Sequence, residues 1–114
     1  MERSKVLVVD DDVDFRALVR LHLEASGFEV EEAGSGEGAL ELVATSPPAL
    51  VLSDLRMDGM DGVELRERLA ELHPDLPVRV WSALPSLQPS VLRKSLRSLE
   101  QVAQEHRGAI PSGA

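Results

Sequence analysis

Short apolar runs alternate with helical patterns along this 114-residue chain, and that alternation constrains the fold class. Val6–Val9, Ala49–Ser53 and Pro77–Trp81 have the length and composition of strands that are buried on both faces of a sheet. Phe28–Glu32 alternates apolar and acidic residues, and Ser90–Arg93 is a last strand-like run. Strands separated by helices form a parallel sheet that helices cover on both faces. The sequence therefore predicts an α/β fold.

Helical periodicity occurs at residues 13–26, 36–45, 61–72 and 98–107. The first of these segments has apolar side chains at helical spacing, namely Phe15, Leu18, Val19 and Leu23. The segment 83–89 differs, because it has only seven residues and two of them are proline. A parallel crossover normally takes a dozen or more residues and usually includes a helix. We therefore predict that a crossover helix is missing here, or else that the final strand does not pair in the usual way.

Composition excludes several classes of protein. The net charge of −8 argues against generic nucleic-acid binding, which needs a basic surface. No apolar run approaches the roughly 18 residues of a membrane span, and the absence of cysteine fits a reducing compartment. Length and pattern predict one domain at residues 1–107 and a flexible C-terminal tail at 108–114. We therefore expect a cytoplasmic protein that acts neither on nucleic acid nor in the membrane.

Acidic side chains end two of the predicted strands. Asp10 and Asp11 follow the first apolar run, and Asp54 follows the second, 43 positions after Asp11. If these strands are parallel neighbours, the carboxylates converge, and such a cluster is costly unless a cation offsets it. Hard divalent cations prefer oxygen ligands of this kind. Ser82 and Lys94 end the later strands, at the edge where open parallel sheets bind ligands. The sequence therefore predicts a site that combines a metal, a carboxylate nucleophile, a hydroxyl and an amine.

These residues resemble the receiver domain of two-component response regulators. Four stretches carry the resemblance: VLVVDDDVDFRALV, VLSDLRMDGMDGVEL, LPVRVWSA and VLRKS. Together with the pattern between them, they cover nearly the whole chain. The resemblance implies a flavodoxin-like (CheY-like), doubly wound parallel sheet of five strands in the order 2-1-3-4-5. In this chain the family's fourth helix would be missing or replaced by a short loop at residues 83–89.

The resemblance also implies a role for each acidic residue. Asp54 would be the phosphoacceptor. Asp11 and Asp54, together with the backbone carbonyl of Arg56, would bind Mg²⁺, and Asp10 would assist through water. The chain would then be a phosphoacceptor with at most slow self-dephosphorylation, rather than an enzyme.

Ser82 and Lys94 would each pair with a phosphoryl oxygen in the same resemblance. Around them the chain departs from the family pattern. Asp58 and Ser95 stand where the family usually has proline, and Val91 stands at the position of the family's aromatic switch residue. The gap between Ser82 and Lys94 is also shorter than usual, by about one helix. These departures concern the family's usual output, in which the hydroxyl and an aromatic ring move together after phosphorylation. They do not argue against phosphorylation itself.

The function implied is that of a single-domain response regulator. A sensor histidine kinase or a phosphotransfer protein would donate the phosphoryl group. An unknown downstream protein would receive the signal through protein contacts. The face that the missing helix uncovers would also offer a surface for a homodimer.

Two alternatives stay open. The chain could be a pseudo-receiver, an interaction module that keeps the fold without switching by phosphorylation. It could also be a haloacid-dehalogenase-like phosphatase, because VVDDDV resembles the aspartate-rich opening of that family. There Asp10 would be the nucleophile and Asp12 the acid/base, but Asp54 would be left unexplained.

Overall fold

The helices and strands follow the predicted alternation. The computed structural model describes residues 3–84, 88 and 90–107, except for the side chain of residue 107. Within them, the strands are β1 (Lys5–Val9), β2 (Glu29–Ala33), β3 (Leu50–Asp54), β4 (Val78–Ser82) and β5 (Val91–Arg93). The helices are α1 (Val13–Ala25), α2 (Gly36–Thr45), α3 (Gly62–Leu72) and α4 (Leu96–Arg107). The predicted tail at 108–114 lies outside the described residues.

The strands form one parallel sheet in the order β2-β1-β3-β4-β5, which confirms the predicted order. β1 and β3 are neighbours, and Val9 pairs with Ser53 near their carboxyl ends. On the other side of β3, Asp54 pairs with Trp81 of β4. Because every pairing is parallel, the carboxyl ends of all the strands lie along one edge of the sheet.

Two apolar clusters cover the two faces of the sheet. On one face, α1 and α4 pack against alternate strand residues and against Trp81, the largest fully buried side chain. On the other face, α2 and α3 pack against the intervening strand residues. Strands buried on both faces need the continuous apolar runs found in the sequence. Within the described part of the chain, no helix is long and apolar enough to cross a membrane.

The connection from β4 to β5 is short, and its described residues are not helical. Residues 83, 84, 88 and 90 have turn or bend geometry, whereas 85–87 and 89 of the predicted loop lie outside the described residues. β5 nevertheless pairs in parallel with β4, and Ser82 lies opposite Arg93. The final strand therefore pairs in the usual way, and in the described residues α4 follows β5 directly. The connection between β4 and β5 is thus shorter than the dozen or more residues that a parallel crossover normally takes.

α1 and α3 begin close to the carboxyl edge of the sheet, and side chains fix their first turns. Asp12 caps α1 by accepting the N–H groups of Asp14 and Phe15, and Asp61 caps α3 by accepting the N–H of Glu64. Gly62 lies so close to β3 that a Cβ atom there would be 2.4 Å from the carbonyl oxygen of Asp54. A glycine is therefore required where α3 meets the end of β3.

Candidate functional site

Three carboxylates meet at the carboxyl edge of the sheet. Asp10, Asp11 and Asp54 each offer an oxygen, and these oxygens lie within 4.8 Å of one another. Asp10 and Asp54 are 1% and 7% exposed, whereas Asp11 is exposed to solvent. The strands thus bring together the aspartates that the sequence places at their ends. One small cation can contact all of them, since Mg²⁺ and Ca²⁺ bind carboxylate oxygens at about 2.0–2.6 Å.

The loop that carries Asp10 and Asp11 is held by hydrogen bonds on both sides. The Asp10 backbone N–H donates to Ala33 of β2 at 3.0 Å, and its Oδ1 accepts the Asp12 N–H at 2.9 Å. Arg16 Nη1 donates to the Asp10 carbonyl at 2.6 Å, and Arg16 Nε pairs with Glu32 Oε1 at 2.7 Å. The bond to Ala33 fixes the acidic loop to β2 and the bond from Arg16 fixes it to α1, while the pair of Arg16 with Glu32 ties α1 to β2.

Lys94 places a cation between two of the carboxylates. Its Nζ lies 2.8 Å from Asp10 Oδ2 and 3.1 Å from Asp54 Oδ1. The residue directly follows β5, and its backbone N–H donates to the Ser82 carbonyl at 2.7 Å. The side chain is 11% exposed, so both ion pairs are shielded from solvent. The short crossover therefore still brings the lysine to the acidic cluster.

The charges at this edge are not fully balanced. Burial raises the pKa of Asp54, the charges of Asp10 and Asp11 raise it further, and Lys94 opposes the rise. Burial lowers the pKa of Lys94, but hydrogen bonds and charge from Asp10 and Asp54 outweigh burial, so its pKa is raised. Lys94 is therefore a cation at neutral pH. Three carboxylates face a single ammonium at this edge, so a further cation would be stabilised here.

The other predicted site residues lie along the same edge. Ser82 is buried at the end of β4, and its hydroxyl oxygen accepts the N–H of Leu84 at 3.2 Å. Arg56 is exposed in the loop that links β3 to α3, two residues after Asp54. The roles of these residues toward a metal or a phosphoryl group stay predictions.

Asp12, the acid/base of the phosphatase alternative, has a different environment. Its Oδ1 accepts the N–H groups of Asp14 at 3.0 Å and of Phe15 at 3.1 Å. The side chain is thus the N-terminal cap of α1 and is exposed. The structure gives Asp12 a structural role that explains its position after β1.

The prediction from the sequence did not include three side chains of this site. Arg16 and Glu32 hold the Asp10 loop, and the ring of Phe15 lies 4.3 Å from Lys94 Nζ. Their position could have indicated a role in the site, because Phe15 and Arg16 lie in the first turn of α1, beside the strand ends. Periodicity alone assigns Phe15 to the core and leaves Arg16 as a surface residue.

Known proteins resemble this chain in both sequence and fold. The chain matches the family described as the response regulator receiver domain over residues 6–96. It is 31% identical to sporulation initiation phosphotransferase F of Bacillus subtilis over 104 residues, covering 91% of this chain and 84% of that protein. It is 37% identical to the DNA-binding transcriptional regulator NtrC of Escherichia coli over 91 residues, which are 80% of this chain and 19% of NtrC. The chain thus spans about a fifth of the length of the NtrC proteins that it matches.

Solved structures give the same result. The receiver domain of the Francisella response regulator 1452 has a TM-score of 0.82 and 26% identity, covering 94% of this chain and 98% of that one. The response regulator TrrA of Thermotoga maritima, solved in complex with Mg²⁺-BeF, has a TM-score of 0.82 and 25% identity. That match covers 90% of this chain and 98% of TrrA. The family match and the shared fold establish that this chain belongs to the receiver domains of two-component response regulators.

Proposed function

We propose that this receiver domain accepts a phosphoryl group on Asp54 in a Mg²⁺-dependent reaction, and that the donor is a phosphohistidine on a sensor kinase or phosphotransfer protein. One observation carries the proposal. Asp54 Oδ1 lies 3.1 Å from the Lys94 ammonium, and carboxylate oxygens of Asp10 and Asp11 lie within 4.8 Å of Asp54. A nucleophile beside oxygen ligands and a cation is the arrangement that phosphoryl transfer to a carboxylate requires.

The residues present fit a magnesium ion. Mg²⁺ prefers oxygen ligands and keeps several of its waters, so a few carboxylates suffice. Asp11, Asp54 and the Arg56 carbonyl would hold the ion directly, and Asp10 would hold it through water. When bound, Mg²⁺ supplies the positive charge that neutralises the phosphoryl oxygens. The excess of carboxylates supports this assignment, because Asp10, Asp11 and Asp54 together face only the one ammonium of Lys94.

The chain's own residues have three tasks in the reaction. An Asp54 oxygen attacks the phosphorus atom, the phosphorus–nitrogen bond of the phosphohistidine breaks, and the imidazole leaves with the bonding electrons. Lys94 and Ser82 each bind a phosphoryl oxygen. In the slow dephosphorylation of Asp54, water attacks the phosphorus, the Asp54 oxygen leaves, and inorganic phosphate is released. The protein is thus a phosphoacceptor rather than an enzyme with a separate substrate.

The partners follow from this chemistry. A kinase or phosphotransfer protein must present its histidine at the carboxyl edge of the sheet, and we propose that this happens in the cytoplasm. A downstream protein then reads the phosphorylated state. The single-domain arrangement and a homodimer through the face beside the β4–β5 connection stay predictions. Relatives include both a protein that the chain nearly spans and a protein of which it spans about a fifth.

The test is phosphorylation by acetyl phosphate with Mg²⁺, followed by mass spectrometry of the peptides. We expect phosphate on Asp54, its loss on chelation of Mg²⁺, and its loss in Asp54→Asn. Asp75→Asn is the matched control, because Asp75 is exposed and precedes β4, far from the carboxyl edge. Phosphate on Asp10 with Asp54 unmodified would instead support the phosphatase alternative. No phosphate on any residue would support the pseudo-receiver.

A further inference from the structure

The Lys94 ammonium has an aromatic ring as well as two carboxylates around it. Its Nζ lies 4.3 Å from the centroid of the Phe15 ring. The two carboxylates, from Asp10 and Asp54, lie at 2.8 and 3.1 Å from the same nitrogen. A cation within about 6 Å of an aromatic centroid is attracted by the negative face of the ring. Phe15 is therefore a third partner of the amine.

Phe15 is itself held in place by two neighbours. Its ring packs against Trp81 with centroids 5.6 Å apart and planes tilted by 54°. Trp81 is 1% exposed, and it lies on β4 directly opposite Asp54 of β3. The backbone N–H of Phe15 donates to the Asp12 cap at 3.1 Å. A buried tryptophan and a helix cap thus fix the ring that faces Lys94.

The amine needs such a partner because its own chain segment gives it little support. Lys94 follows a strand of three residues, and lysine has four flexible side-chain bonds. Phe15 and Lys94 both line a cleft of about 300 Å³ between α1 and α4. A smaller side chain at position 15 would open the amine to water from this cleft, which would weaken its attraction to the carboxylates.

We propose that Phe15 is a positioning residue, which holds the Lys94 ammonium beside Asp54 so that a phosphoryl group on Asp54 meets a cation already in place. The inference rests on the proposed function, in which Lys94 pairs with a phosphoryl oxygen. Preorganised charge of this kind costs no rearrangement when the phosphoryl group arrives. The ring contacts the amine and makes its contribution through Lys94 alone.

The first experiment measures binding of beryllofluoride, a phosphoryl mimic, by calorimetry at saturating Mg²⁺. Phe15→Leu, which removes the ring and keeps apolar bulk, should weaken binding about three- to thirtyfold, the range that cation–π energies imply. Phe15→Tyr keeps the ring and should restore the affinity. Phe28→Leu is the matched control, because Phe28 is buried in the same apolar cluster but lies outside the site. It should leave beryllofluoride affinity unchanged.

Titration with Mg²⁺ alone separates positioning of the amine from general damage to the site. The contact that carries the inference is the one between the ring and Lys94, so Phe15→Leu should leave Mg²⁺ affinity nearly unchanged. An equal loss of Mg²⁺ and beryllofluoride affinity would overturn the inference. Wild-type affinity for beryllofluoride in Phe15→Leu would overturn it as well, and so would failure of Phe15→Tyr to restore binding.

A second experiment needs neither metal nor phosphoryl mimic. Urea unfolding of metal-free wild type, Phe15→Leu, Lys94→Met and the double variant forms a double-mutant cycle. Phe15→Leu should raise the equilibrium constant for unfolding in both backgrounds. The increase should be about threefold larger when residue 94 is lysine than when it is methionine. Additive effects would overturn the inference. If wild type binds no beryllofluoride, the proposed function fails, and this cycle still decides whether Phe15 and Lys94 are coupled.

Discussion

The two halves of the site are built in different ways. The acidic half consists of Asp10 and Asp11, which directly follow β1, and of Asp54 at the end of β3. Both strands are flanked on each side by other strands and are almost entirely buried. The cationic half depends on β5, an edge strand of three residues that are half-buried or exposed. The acidic half is therefore a product of the centre of the sheet, whereas the position of the amine depends on contacts that its own strand does not supply.

The difference shows how the chain keeps the site although the crossover is short. Lys94 reaches Asp10 and Asp54 through side-chain contacts, and the ring of Phe15 comes from α1. One backbone bond, to the carbonyl of Ser82, ties the residue to β4. The amine is thus held mainly by elements outside the region that is shortened. A short crossover and a lysine beside the acidic cluster are compatible for this reason.

Removing the amine should produce the largest effect on stability. In Lys94→Met, Asp10 and Asp54 stay buried without their shared cation, so the free energy of unfolding of the metal-free protein should fall by about 3 kcal/mol. Mg²⁺ should restore most of this loss, because the ion offsets the same carboxylates. Urea unfolding with Mg²⁺ and with a chelator measures both values.

Arg93→Met is the control for that variant. Arg93 is the last residue of β5 and is exposed, so its replacement should change stability by no more than about 0.5 kcal/mol. Equal stability of Lys94→Met and wild type without metal would contradict the electrostatic account of the cationic half. A loss that Mg²⁺ does not reverse would contradict the idea that lysine and metal offset the same charge.

The sequence predicted the acidic half better than its supports. Asp10, Asp11 and Asp54 could be placed because apolar runs define strand ends and parallel strands align them. The same periodicity grouped Leu18 with core residues of α1, yet Leu18 is 64% exposed. Spacing defines a helix face only to within about one position, and neighbouring elements decide which side chains that face buries. For this reason the contact between Phe15 and Lys94 could not be derived from spacing.

The sequence predicted that a strand and a helix flank Lys94, but it predicted their first residues less accurately. The last strand begins at Val91 instead of Ser90, and α4 begins at Leu96, two residues before the predicted start. Few apolar residues mark these boundaries. The pairing of β5 with β4 is a tertiary contact, and the sequence left it open because the crossover was too short for the usual arrangement.

A smaller effect is expected from Asp11, the exposed member of the acidic half. Asp11→Asn removes one charged oxygen ligand, so Mg²⁺ affinity should fall at least about tenfold. Stability of the metal-free protein should stay the same or rise, because repulsion with Asp10 and Asp54 decreases. Fluorescence of Trp81 during a Mg²⁺ titration, or calorimetry, measures the affinity.

Asp12→Asn is the matched control for Asp11→Asn. The two residues are adjacent, and asparagine caps a helix about as well as aspartate does. Mg²⁺ affinity should therefore be almost unchanged in Asp12→Asn. A similar loss in both variants would show that total charge, and not a ligand at position 11, determines Mg²⁺ binding.

The smallest effect should come from Glu32, which supports the acidic half from β2. The Glu32 side chain pairs with Arg20 and with Arg16, each at 2.7 Å, and the two arginines lower its pKa. Because the folded-state pKa lies below the unfolded value, the ion pairs add stability above the unfolded pKa. That stability is lost as pH falls through the folded pKa. Glu32→Gln should therefore cost on the order of 1 kcal/mol near neutral pH and progressively less in acid.

Urea unfolding of Glu32→Gln and wild type across a pH series measures the difference in their free energies of unfolding, which should decrease as pH falls. Glu29→Gln is the control, because Glu29 is exposed on the same strand, and it should show no comparable pH-dependent gap. The effect of Glu32 should stay below that of Lys94, since Arg16 also donates to the Asp10 carbonyl, and Asp10 also bonds to β2 through its own N–H. A gap as large as that of Lys94→Met would mean that the acidic half depends on side-chain contacts as much as the cationic half does.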